Sequence, residues 1–121
     1  MIKVQIPQND FGYNEQFTIY TDGRHLTVKD LTGYEAWLYA WGEVNSDTAI
    51  IAKKINIADD PTTGIVYWNV EADDTAVFGN FIGEIRLIKY SSDGGQTIVS
   101  QTFSTMQFDL QIIATWQDRG E

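Results

Sequence analysis

Two adjacent carboxylate pairs, Asp59-Asp60 and Asp73-Asp74, are the first residues whose types and spacing invite a chemical reading. A hard cation such as calcium takes oxygen ligands of this kind when about six to eight converge on it. Neither pair follows a calcium-loop spacing. Both stand where turns and helix starts use Asp to bond nearby backbone N–H groups, so structural roles and no metal are expected. Glu35 and Glu84 could in principle flank a glycosidic bond as acid and base, but nothing in their spacing supports this, and glutamates on outward strand positions are usually solvated. The single histidine, His25, follows Asp22-Gly23 with Arg24 beside it, which suits a loop tip more than a buried general base. The absence of cysteine removes disulfides, thiolate nucleophiles and zinc–thiolate or iron–sulfur centres. No Gly-rich phosphate loop, G-x-S-x-G elbow or H-E-x-x-H motif occurs. The chain therefore reads as a non-enzyme without catalytic residues, metal or cofactor.

Seventeen Asp and Glu against eight Lys and Arg give a net charge of −9, a poor match to a surface that must neutralise phosphates. Nucleic acid and membrane are accordingly not expected as partners. No apolar run reaches the ~18 residues of a membrane span, and Met1 to Ile6 alternates where a secretory leader would be continuous. The expectation is a soluble, unexported chain whose 121 residues form one domain.

Ile and Val outnumber Leu 21 to 5, with twelve Thr and sixteen aromatic residues besides, a composition suited to pleated sheets. Period-two patterns predict strands over Ile2 to Ile6, Phe17 to Tyr20, Tyr34 to Trp41, Ile50 to Ile57, Ile65 to Val70, Phe81 to Tyr90, Thr97 to Phe103 and Met106 to Ile112. Leu26 and Val28 follow the Asp22-Gly23 turn as a further short extended piece. Ala58 to Gly64 is a turn cluster, Asp93-Gly94-Gly95 a hairpin turn, and Asp73 or Asp74 a cap for one helical turn that Gly79 ends. About eight short strands at this spacing predict an all-β, immunoglobulin-like antiparallel β-sandwich over residues 1–113, with 114–121 as a polar C-terminal tail apart from Trp116. The expected core is Leu38, Val66, Trp68, Phe81, Ile85, Leu87, Phe108 and Leu110.

The strand from Tyr34 to Trp41 carries the strongest candidate surface. If Ala36 and Leu38 face the core, alternation places Glu35, Trp37, Tyr39 and Trp41 together on the opposite face. Such rings could anchor a protein interface, be covered by the domain's own chain, or stack on sugar.

Taken in order, Ile2-Lys3-Val4-Gln5-Ile6, Asp30-Leu31-Thr32-Gly33, Gly64-Ile65-Val66-Tyr67-Trp68, Ala72 to Val77, Gly79-Asn80-Phe81 and Ser92-Asp93-Gly94 resemble the N-terminal immunoglobulin-like domain of phage baseplate upper proteins. The DLTG lead-in and the ADDTAVFGNF segment are the most specific parts, and the match runs over most of Met1 to Ile112. The resemblance implies a structural protein in the virion tail tip of a phage infecting Gram-positive bacteria, soluble in the host cytoplasm before assembly. It implies an adaptor linking the baseplate core to receptor-binding components, with other tail or baseplate proteins, or a homo-oligomer, as partners. It transfers no site residues. The family's long downstream linker is missing, which implies a minimal version or a domain separated from a longer protein. A carbohydrate-binding module using the Trp37 to Trp41 strip is the alternative.

Overall fold

The computed structural model describes residues 3–21, 27–42, 49–104 and 107–114. The readings that involve Asp22-Gly23, Arg24, His25, Leu26, Met106 and the tail from Thr115 onward lie outside them. Eight strands are described: β1 (Lys3–Pro7), β2 (Asn14–Thr18), β3 (Tyr34–Gly42), β4 (Ala49–Ile57), β5 (Ile65–Asn69), β6 (Gly79–Asp93), β7 (Gln96–Ser104) and β8 (Phe108–Ile113). They form an all-β sandwich made from one curled sheet in the order β1-β8-β6-β3-β4-β5-β2, with β7 also paired to β6. The curl occurs at β4, which pairs with β3 through Ala36↔Ile55 and its neighbours and then with β5 through Asn56 and Ile57. It brings β2 opposite β8, where the Phe17 and Phe108 ring centroids are 5.2 Å apart.

All eight expected core residues are buried, Trp68 and Leu38 completely. The reason is visible in β3 and β5, where every second side chain points between the layers: Ala36, Leu38 and Ala40 from one, Val66 and Trp68 from the other. β6 is the spine. One of its edges pairs with β3 from Phe81 to Lys89, while the other is shared between β8, from Gly79 to Gly83, and β7, from Arg86 onward.

Three local expectations are corrected. The β1–β8 pair runs parallel, with Lys3 opposite Asp109 and Ile6 opposite Ile112, so the sheet is mixed and not wholly antiparallel. The second strand lies earlier than Phe17 to Tyr20; it is Asn14–Thr18, because β5 pairs with it from Asn69 to Ile65, and beyond it Ile19 bonds to Gly64 and Lys29 and Tyr20 bridges to Val28 outside the ladder. The helical turn, Ala72–Thr75, is capped by Glu71 and not by Asp73 or Asp74: Asp74 sits at the third position and accepts from the Glu71 N–H at 3.0 Å. The turn before β5 follows its signals closely. Asp60 accepts from the Thr62 N–H at 3.1 Å, and Gly64 closes the turn at φ 72°, where an added Cβ would meet the Ile19 carbonyl at 2.9 Å.

Candidate interaction surface

Because Ala36, Leu38 and Ala40 face the core, Glu35, Trp37, Tyr39 and Trp41 lie on the outer face of β3, all four half-buried. Their neighbours across the ladder are Ile88, Arg86, Glu84 and Ile82 of β6 on one side, with Lys54 and Ala52 of β4 opposite Trp37 and Tyr39 on the other. The rings are held in place. Trp37 and Tyr39 lie side by side, 6.5 Å between centroids and 17° from parallel, and the Arg86 guanidinium sits 5.3 Å from the Tyr39 ring centroid. Arg86 also donates to Glu84 Oε2 at 3.1 Å.

The Trp37 indole N–H donates to Glu35 Oε2 at 3.3 Å, and Lys54 Nζ reaches Glu35 Oε1 at the same distance. These bonds, Trp37's first and then Lys54's, hold the Glu35 carboxyl below the usual range, with Tyr90 adding another from β6. Glu35 thus stays ionised while it fixes the indole. Glu84 stands opposite Tyr39 and Glu35 opposite Ile88, four ladder positions apart, and each carboxylate is paired with its own cation, Arg86 for Glu84 and Lys54 for Glu35. This face offers aromatic area with alternating charge.

One aspartate of each pair, Asp60 and Asp74, has structural partners. Asp60 caps the turn before β5. Asp74, nearly buried, accepts from the Trp68 indole at 2.9 Å and from Lys53 Nζ at 2.6 Å, and Lys53 also donates to Glu71 at 2.8 Å and to the Asn69 carbonyl at 3.0 Å. Burial by itself would lower the Lys53 pKa, but the bonds from Asp74 and Glu71 outweigh it and the ammonium is held above its usual value. Among the described residues, no three acidic or imidazole side chains gather as a metal site.

A second surface was not anticipated from the sequence. The segment after β1 and the segment between β5 and β6 are stitched together by Asn9 N–H to the Thr75 carbonyl, Gly12 N–H to the Val70 carbonyl and Val70 N–H to the Tyr13 carbonyl. Phe11, Val77 and Phe78 stand on this joined pair of loops, exposed by 60%, 61% and 50%. Neither loop has a hydrophobic period, so the sequence carried only the residue types as a signal.

No family model matches the sequence, and no curated protein matches it. A solved structure does match in shape: the N-terminal domain of phage TP901-1 ORF48, with a TM-score of 0.63, 14% identity, and coverage of 93% of this chain and 84% of that one. The likeness is one of fold. At 14% identity the rings of β3 and the exposed loop residues cannot be transferred position by position, so their roles rest on this chain's own geometry.

Proposed function

We propose that this chain is a noncatalytic structural protein of a phage tail baseplate, an adaptor between the baseplate core and receptor-binding components. The observation that carries the reading is the fold shared with a phage protein domain over 93% of the chain, in agreement with the order of sequence motifs from Asp30-Leu31-Thr32-Gly33 to Ser92-Asp93-Gly94. The outer face of β3 supplies a contact of the right kind. Trp and Tyr are favoured anchors because they bury much area at little entropic cost, and here Glu35 and Arg86 already restrict them. Glu35 and Glu84, the residues that an acid–base pair would need, are each engaged with a neighbouring cation, which supports a noncatalytic role.

Gold-labelled antibody against this chain, applied to particles produced by the genome that encodes it, should decorate the distal end of the tail. Unlabelled particles, with the chain left in the lysate, would overturn the assignment. Binding to a cell-wall glycan array that Trp37→Ala abolishes would instead favour the carbohydrate reading, although Arg86 over Tyr39 leaves less open ring face than a sugar platform needs.

A further inference from the structure

The joined loops beyond β1 and β5 carry an apolar surface that the adaptor reading does not require. Five backbone and side-chain bonds fix them: the three named above, Gln8 Nε2 to the Ala76 carbonyl at 2.7 Å, and Thr75 Oγ1 to the Asp10 carbonyl at 2.9 Å. Rigid loops that hold Phe11, Val77 and Phe78 half or more in water forgo burial worth about 25 cal/mol per Å².

Charge defines the occupant. Residues 8–18 and 69–79 contain Asp10, Glu15, Glu71, Asp73 and Asp74 and no Lys, Arg or His. Lys53 reaches in from β4 but is engaged by Glu71 and Asp74, so the two segments that carry Phe11, Val77 and Phe78 have Asp10, Glu15 and Asp73 besides and no cation of their own. A second copy meeting this surface through the same surface would bring these carboxylates together. We propose that the Phe11–Val77–Phe78 surface docks a protein segment in which Lys or Arg flanks an apolar anchor, the anchor covering the rings and the cations facing Asp10 and Asp73.

The test is a two-dimensional NMR titration of the full chain with a synthetic peptide of alternating Lys and Leu, and with a peptide of the same length in which Glu replaces Lys. Expected are shifts concentrated in residues 9–13 and 70–78 for the Lys peptide, weakening at least tenfold in Phe11→Ser with Phe78→Ser and again in Asp10→Lys with Asp73→Lys. Both pairs are exposed, and unchanged spectra elsewhere will show that they fold. Equal binding of the Glu peptide, or shifts scattered over the whole acidic surface, overturns the proposal. So does concentration-dependent self-association in sedimentation that Phe78→Ser removes, since a second copy would then be the occupant. None of these readouts depends on the baseplate assignment.

Discussion

The two faces of β3 invert the usual relation of size to burial. Its inner face carries Ala36, Leu38 and Ala40, all fully buried, while its outer face carries two Trp and a Tyr, only half-buried. Volume explains the inner side. The space between the layers is filled by Trp68 and Phe108, and the Phe108 ring lies so close over Gly83, the partner of Ala40, that an added Cβ would come within 2.3 Å of it. Small residues on the central strands let large ones from the flanking strands enter. The outer face has no such limit on volume, which leaves room for the large rings that the proposed contact would use.

The largest test of this contrast is the inner side. Trp68→Ala is expected to cost about 3 to 5 kcal/mol in denaturant unfolding, the loss of a wholly buried indole. A change below about 1 kcal/mol would place the core elsewhere. Gly83→Ala should cost about 1 to 3 kcal/mol by forcing Phe108 off the strand, and Gly83→Ala with Phe108→Leu should recover part of that loss.

Asp74→Ala strands the Trp68 indole N–H in the interior, a penalty of about 1 to 3 kcal/mol by the same measurement. The partner Lys53 adds a pH dependence of definite sign. Its folded pKa is raised from the usual 10.5, so its stabilising share is complete below that value and is lost as pH rises through the folded one. The difference in Tm between the native chain and Lys53→Met should therefore be level at neutral pH and shrink in strongly alkaline solution. A gap that widens there would reverse the assignment.

The smallest effect on folding is expected on the outer side. Trp37→Ala and Trp41→Ala should each cost about 1 kcal/mol, well below the loss at Trp68, because their rings remain partly in water and Trp37 gives up only one long hydrogen bond to Glu35, yet weaken the proposed assembly. If instead these variants unfold with association unchanged, the rings serve the domain itself and the contrast between the faces fails.

Alternation made the core legible: Val66, Trp68, Ile85, Leu87 and Leu110 all occupy the side that a period of two assigns them. It also placed Glu35, Trp37, Tyr39 and Trp41 on one face. Pairing across distance was not legible. The antiparallel expectation failed for β1 because a strand's own pattern does not say in which direction its neighbour runs. Lys53 lies 21 residues before Asp74, and nothing local marks them as partners. Phe11 and Phe78 had no period to set them apart from ordinary loop residues.

The parallel β1–β8 ladder also has a consequence for the order of events during synthesis. Val4 is opposite Leu110, so among the described strands the earliest to be synthesised pairs with the latest. The hairpins β3–β4 and β6–β7 can form as they emerge, but β1 has no ladder partner until β8 is released. Closing so long a loop is entropically costly and is repaid only by a late contact, so β1 is expected to dock late in folding. Until then the β8 edge that will receive it stays open, and Pro7 within β1 cannot donate a backbone hydrogen bond, which hinders the waiting strand from adding to another chain.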